Sequence, residues 1–574
     1  MSSESLSNTE SSRTDSTQCV ECDTSDSATD SLNSLIDGIT DKNCVEDCME
    51  VKCSLADECT ACEDPVKKGS KSICCNAVSQ CVWGVLLLLI SIGGFIFTPL
   101  DLMLWEKLNM RPGFPPYEWW ADPPDEVKLR VYVFNVTNHE RFLSGLDEKM
   151  DVREIGPVVY LEKLIHSNIH FNENSTLTYT ARRYPIFLPG ENSIDLNATL
   201  VVPNLAILGI ASYLHDANYL VRTGFRLLVN SHGSKLFVKK TIYEYLWEYR
   251  EPVLDTSKSL VPGLVPVSNM GMLARIYSDF TDDVTVKVGH QWGDRSFFQI
   301  DEFRGHPQLP GYDPDVCPDR LYGSTEGVMY QQRLTKQDIL LYWRKTVCKV
   351  MPLYFDEEIT VDNVPVYRYN LSESVFERTS NGTDCYDTVP SLPPGLSDGS
   401  KCYFDFPMVV SYPHFYTGHP PKDAYVTGLQ PDRFKHNSYV VVEPLTGTPF
   451  HSVARMQSNL RIHELSGFSY EYQKFSNLVL PLFWAEYNQE GLPPHISKTI
   501  YFMTVILPPV SYLVLTLTFL TGSYFLAKHL YIHQLSNETV NALLHFKSKN
   551  TSKSDCKSLK YENEIFIKPL TVSR

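Results

Sequence analysis

Two stretches of the chain stay apolar over a bilayer's thickness, Val82 to Leu100 and Ile500 to Leu526, and each matches the roughly 20 residues a spanning helix needs. They stand near opposite ends of the sequence. About eighty polar residues precede the first, where a cleavable signal would begin near residue 1, so a spanning helix is expected there. Pro508 and Pro509 lie in the second, and prolines are tolerated in lipid where neighbours satisfy the freed carbonyls. Between the two stretches, alternation of apolar and polar positions predicts half-buried strands at Lys128 to Val136, Val284 to Val288, Glu358 to Tyr369 and Ser438 to Val442. Apolar residues recur at three- and four-residue spacing in Leu205 to Val229, Thr241 to Arg250 and around Lys336 to Val350, which predicts helices. The mixture predicts an α+β domain with a dominant antiparallel sheet.

No internal repeat and no Gly/Ser linker divides the region between the spans. The expected division is a disordered acidic cytoplasmic tail at 1–81, a transmembrane helix at 82–104, one ectodomain at 105–496, a second transmembrane helix at 497–526 and a cytoplasmic tail at 527–574. Residues 1–81 hold sixteen Asp or Glu against six Lys or Arg and no sustained apolar periodicity. The last segment is basic, which favours contact with an anionic leaflet. With a whole-chain net charge of -17, nucleic acid is excluded as an expected partner.

Orientation follows from two features. Lys67, Lys68 and Lys71 precede the first span and Lys528, Lys547 and Lys549 follow the second, placing both ends in the cytosol. The intervening segment carries five acceptor sequons, at Asn135, Asn174, Asn197, Asn370 and Asn381, as expected of a lumenal or extracellular face. Two more, at Asn537 and Asn550, fall beyond the second span and are expected to stay bare.

Of fifteen cysteines, only Cys317, Cys348, Cys385 and Cys402 lie between the spans, an even number suited to two disulfides in an oxidising compartment. Cys74, Cys75 and Cys81 abut the membrane, where palmitate is sterically natural. Cys19-x-x-Cys22, Cys44-x-x-x-Cys48 and Cys59-x-x-Cys62 have zinc-like spacing, but their surroundings lack the apolar residues a small zinc fold packs, so no metal or other cofactor is expected. Catalytic signatures are missing. There is no G-x-S-x-G, no phosphate loop, and neither His139-Glu140 nor His463-Glu464 is followed by the second histidine of H-E-x-x-H.

Five segments carry a family resemblance. They are Val131 to Asn138 (VYVFNVTN), Glu154 to Tyr160 (EIGPVVY), Glu244 to Arg250 (EYLWEYR), Phe406 to Phe415 with Ser411-Tyr412-Pro413-His414-Phe415, and Val442 to Pro449 (VEPLTGTP). In order and spacing, from about Val82 to Leu526, the chain resembles the class B scavenger receptors. The resemblance implies a β-barrel-like ectodomain pierced by an apolar tunnel, with a helical bundle at the membrane-distal apex. It places Leu205 to Lys240 at that apex, with Arg222, Arg226, His232, Lys235, Lys239 and Lys240 as candidate ligand-binding residues whose positive potential steers anionic partners. Fatty acids, sterols, phospholipids, carotenoids or lipoprotein particles are the implied cargo. By position the expected bridges are Cys317 to Cys385 and Cys348 to Cys402, although sequence alone allows three pairings. Relatives often have three bridges, and this segment has cysteines for two.

The expected function is therefore a membrane receptor that binds lipids or lipid-bearing particles and passes apolar cargo to the bilayer, without covalent chemistry. An endolysosomal or sensory-neuron receptor whose apex docks a protein partner is the alternative. Glu538 stands one residue too far before Leu543-Leu544 for a dileucine sorting signal, which favours the plasma membrane over the endosome or lysosome.

Overall fold

A computed structural model describes residues 66–260, 267–278, 280–308, 321–377, 392–403, 406–417 and 425–550. The N-terminal cysteine motifs, Asn381 and the expected Cys317 to Cys385 bridge lie outside them. Contacts divide the chain into two units, Met1–Val82 with His529–Arg574, and Trp83–Lys528. The second carries the fold.

Helix α1, Val66–Ile96, ends where Phe97 and Thr98 leave the helical path, and α2, Pro99–Lys107, begins at once. Thr98 caps α2 with its hydroxyl on the Asp101 amide, while the Asp101 carboxylate reaches back to the Thr98 amide. Among the described residues two helical segments are long and apolar enough to cross a bilayer, Val78–Ile96 and Pro494–Ala542. The first helix ends at Ile96, and the capping box at Thr98 opens α2 across the expected residue 104. The second runs as a helix well past residue 526, to Asn550. A π-helical turn at Phe502–Ile506 comes just before Pro508 and Pro509, and that wider turn accommodates residues that cannot donate to the ladder. The spans touch through small residues. A Cβ on Gly84 would lie 3.1 Å from the Gly522 carbonyl oxygen, and the Ser91 hydroxyl donates to the Leu515 carbonyl at 2.8 Å.

Between the spans a large, nearly closed sheet runs in the order Ile300–Phe303, Thr281–Lys287, Thr176–Phe187, Met150–Phe171, Val127–Val136, Val479–Gln489, Thr448–Arg461, Tyr439–Glu443, Val364–Leu371, Lys349–Val361, Leu340–Arg344, Ser324–Thr325. Neighbours are antiparallel except the last pair. Inward positions along the first long strand, Leu129, Val131 and Val133, are fully buried, as period-2 patterning requires. Most expected elements are present. Glu358 to Tyr369 is not one strand, because Asp362 (φ 50°) and Asn363 (φ 64°) make a two-residue turn that folds it into a hairpin.

The region around Lys336 to Val350 is a correction. It forms strands, not a helix: Leu340–Arg344 pairs with the start of Lys349–Val361, in register from Lys349 opposite Arg344 to Leu353 opposite Leu340. The three- and four-residue recurrence of its apolar residues mimicked a helix, and sheet packing of Trp343 against Phe303 overrode it. Leu205 to Val229 is two helices, Leu205–Tyr213 and Tyr219–Ser231, each opened by an asparagine cap, Asn204 and Asn218.

The resemblance segments prove to be braces between distant strands. Tyr132 stacks on Trp484 with centroids 3.8 Å apart, and Gly156 leaves room for that tyrosine. Glu154 accepts from Trp484 Nε1 and from His414 Nε2, both at 2.6 Å. The Gln430 amide donates to His414 Nδ1, so the ring's proton belongs on Nε2, facing the carboxylate. Burial pushes the Glu154 carboxyl up, but these hydrogen bonds prevail and hold it below the usual carboxylate value. Trp247 Nε1 donates to the Tyr160 hydroxyl at 2.9 Å.

Cys348 and Cys402 are bonded across 54 residues, matching one expected bridge. Closing a loop of that length restricts the unfolded chain by roughly 4 kcal/mol on the chain-entropy account. Cys402→Ser is therefore expected to lower the thermal midpoint of the detergent-solubilised protein by several degrees. An unchanged midpoint would show that the bridge adds nothing.

Candidate functional site

The chain between the first span and the sheet is rich in proline and aromatic residues, Pro112 to Trp120, and it folds back as α3, Pro115–Ala121. Trp120 is buried, with Tyr179 and Phe298 edge-on and His166 stacked on it. Beside this cluster lies a cavity of about 320 Å³. Its wall includes Met103, Leu104 and Lys107 from α2, Trp119 and Trp120 from α3, and Ile496, Ile500 and Met503 from the helix that opens the second span. Ser452, Val453, Ala454 and Met456 of the strand Thr448–Arg461 line another side. The cavity is therefore mostly apolar, and its wall includes residues of the second membrane-crossing segment and of α2, which follows the first. Its volume lies at the lower end of the ~300–1,000 Å³ typical of small-molecule sites.

Among the described residues three cations line it. Arg183 faces Glu326 at 3.5 Å and Arg344 faces Glu162 at 3.7 Å, two ion pairs almost closed to solvent. Tyr179 donates to Glu326 at 2.9 Å and Tyr277 to Glu162 at 3.1 Å, so each buried carboxylate also has a hydroxyl partner. The Arg344 guanidinium lies over the Tyr487 ring, 4.0 Å from its centroid.

Lys107 differs. It is 5 % exposed, its Nζ donates to the Thr446 carbonyl at 2.5 Å and to the Thr448 hydroxyl at 3.4 Å, and among the described residues no carboxylate comes within ion-pair distance. Glu443 is the nearby acid, but its oxygens are occupied by the Leu445 and Thr446 amides and the Thr446 hydroxyl. Burial pushes the Lys107 ammonium down to about 8, with Glu443 pulling the other way. Burial likewise raises the Glu443 carboxyl.

This has a consequence for stability. Unfolded Lys107 keeps its proton to about pH 10.5, whereas the folded residue loses it near 8. Below about pH 8 both forms are protonated and the cost of burial is constant; from there to about 10.5 the unfolded chain binds the extra proton, so stability rises with pH, by roughly 3 kcal/mol over the full window. Lys107→Met is expected to remove that rise. Thermal midpoints measured from about pH 7.5 to 9.5 should climb in wild type relative to the variant. Parallel curves would show that Lys107 is not desolvated.

The six residues expected at the apex do not line this cavity. Arg222 and Arg226 lie on the Tyr219–Ser231 helix, His232 follows it, and Lys239 and Lys240 are on Phe237–Thr241. Lys235 and Lys239 are exposed, Lys240 donates to the Arg250 carbonyl, the His232 ring meets the Thr256 hydroxyl, and Arg222 donates to the His215 carbonyl. Lys107, Trp119, Trp120 and Met456 were not singled out in the sequence. The run of prolines and aromatics directly after the first span was the available signal. Among the described residues no group of three His, Cys, Asp or Glu is arranged to hold a metal.

A family model described as the CD36 family matches residues 82–533. Scavenger receptor class B member 1 from Cricetulus griseus is 27% identical over 407 residues, covering 71% of this chain and 78% of that protein. Lysosome membrane protein 2 from Homo sapiens is 26% identical over 439 residues, covering 74% of this chain and 88% of that protein. With that match running through both spans and the whole sheet between them, the chain belongs to the CD36 family, the class B scavenger receptors, and is a membrane receptor.

Proposed function

We propose that the protein captures lipids or lipid-bearing particles at the membrane-distal end of its ectodomain and passes apolar cargo through an internal tunnel to the bilayer. The cavity carries this reading, because its largely apolar wall is built in part from the second span and from α2, directly after the first. Each methylene moved into it from water gains ~0.8 kcal/mol. Selection by chain length follows without precise polar contacts. Fatty acids, sterols, phospholipids, carotenoids and lipoprotein particles are the cargo classes in view, and no covalent step is involved.

Capture is assigned to Arg222, Arg226, His232, Lys235, Lys239 and Lys240, whose charges draw anionic headgroups or acidic particle surfaces. Tyr219, Leu220 and Leu227 are 71%, 78% and 66% exposed on the same helix as the two arginines. An exposed apolar face beside cations suits a docked particle, and it equally supports the second reading, a protein partner held at the apex. The plasma membrane is the proposed site of action. Likeness to lysosome membrane protein 2 supports the endosomal or lysosomal alternative.

N-linked glycans are assigned to Asn135, Asn174, Asn197, Asn370 and Asn381. Asn174 and Asn197 are exposed. Palmitate is assigned to Cys74, Cys75 and Cys81. Mass spectrometry of lipid co-purifying with the detergent-extracted receptor tests the proposal. Acyl or sterol cargo is expected; a cargo-free preparation that also refuses labelled fatty acid, with Lys235 and Lys239 intact, would overturn it.

A further inference from the structure

The cavity wall is apolar but not uniform, and its charges are unequal in their partners. Arg183 and Arg344 each face a carboxylate within ion-pair distance, so their charges are answered inside the protein. Among the described residues Lys107 is hydrogen-bonded to a carbonyl and a hydroxyl, and no carboxylate lies within ion-pair distance of it. An ammonium has three N–H donors, and two partners are found, which leaves one donor on a residue that lines the cavity. Burying an ammonium without a counter-anion is costly, and that cost falls when an anion enters.

We propose that Lys107 is a headgroup anchor, binding the carboxylate of a single-chain amphiphile whose hydrocarbon tail fills the apolar remainder of the cavity. This rests on the lipid-conduit reading and adds to it a charge preference and a residue. The surroundings fit the assignment. Thr446 and Thr448, both lining the cavity, orient the ammonium, and the Phe297 ring lies 5.5 Å from Nζ. Glu443 does not compete for the third donor, because its two oxygens are held by the Leu445 and Thr446 backbone and the Thr446 hydroxyl. The volume, about 320 Å³, suits one chain better than the two chains and headgroup of a phospholipid. Lys107 ends α2, the helix directly after the first span, so a carboxylate held there stands at the bilayer end of the route.

A neutral amphiphile of the same length gains the tail's burial but leaves the ammonium unanswered. The protein therefore distinguishes acid from alcohol, and the distinction is assigned to one side chain.

The test is equilibrium binding of labelled hexadecanoate and labelled hexadecanol to the full-length receptor in nanodiscs, for wild type, Lys107→Met and Lys107→Arg. Wild type is expected to bind the acid ~10-fold or more tighter than the alcohol, the range of one hydrogen bond to a charged group. In Lys107→Met the ratio of acid to alcohol affinity is expected to fall to about one, and Lys107→Arg is expected to restore part of it. Equal affinities in wild type would overturn the proposal without any variant. So would a preference that survives in Lys107→Met. If wild type bound neither molecule, the conduit reading itself would fall, and this inference with it; binding of both without discrimination would remove the anchor alone.

Discussion

Ala454→Phe is expected to cut cellular uptake of labelled lipid by about ten-fold or more while leaving the receptor's abundance at the cell surface near wild type. Ala454 sits between Ser452 and Met456 on the lining face of Thr448–Arg461, opposite Tyr487, which also lines the cavity. A phenyl ring there enters empty space instead of a packed core, so the usual cost of overpacking, roughly 1–3 kcal/mol, is reduced. What it removes is volume, in a cavity of only about 320 Å³. Particle binding at the surface of the cell should persist, because none of Arg222, Arg226, His232, Lys235, Lys239 and Lys240 borders that space. Normal uptake by a variant of normal abundance would mean that cargo bypasses the cavity.

Gly447→Ala is expected to do the reverse, losing folded protein before any transport can be measured. Gly447 has φ +70°, and an added Cβ would fall on the backbone carbonyl oxygens of Tyr330 and Gln331. The Gly447 carbonyl already accepts from the Tyr330 amide at 2.9 Å, so the two segments cannot part without breaking that bond. Left-handed backbone in a non-glycine residue costs about 1–3 kcal/mol, and the backbone clash adds to it, so a loss above ~3 kcal/mol is expected. The flanking Thr446 and Thr448 hold Lys107, so the damage reaches the cavity. Glycan maturation read by gel mobility checks this: the variant should remain in immature form, and wild-type maturation would contradict the account.

Sheet and spans were legible in the chain for different reasons. Val82 to Leu100 announces itself because an uncharged apolar run of that length is what a bilayer-spanning helix requires. Val127–Val136 announces itself because one face is buried and the other is not, so alternation is written into Leu129, Val131 and Val133. Leu340–Arg344 concealed itself. It is short, and its apolar residues with those of the next strand fall at helical spacing, so only the partner strand decides its state. The Asp362-Asn363 turn was equally hidden inside an apparently continuous alternation.

The five resemblance segments were recognisable as a set, but their purpose was not. Glu154, Tyr132, His414 and Trp484 come from four separated positions and meet only in the fold. The cavity was the least visible part. Its lining is contributed by α2, α3, several strands and the second span, and a space between elements leaves no periodic mark on any one of them. Lys107 reads in the sequence as an ordinary juxtamembrane cation, of the kind that usually reaches to the interface. That it turns inward depends on the Glu443 to Thr448 turn, more than three hundred residues away in the chain.

The central claim is that apolar cargo occupies the space between the sheet, α2, α3 and the second span. A density map of the full-length receptor in lipid nanodiscs tests it most directly. Elongated density lying between Trp120 and Met456, with one end at the Lys107 ammonium, is the result this account predicts. A cavity closed by its own side chains, or filled only with discrete water peaks, would contradict it.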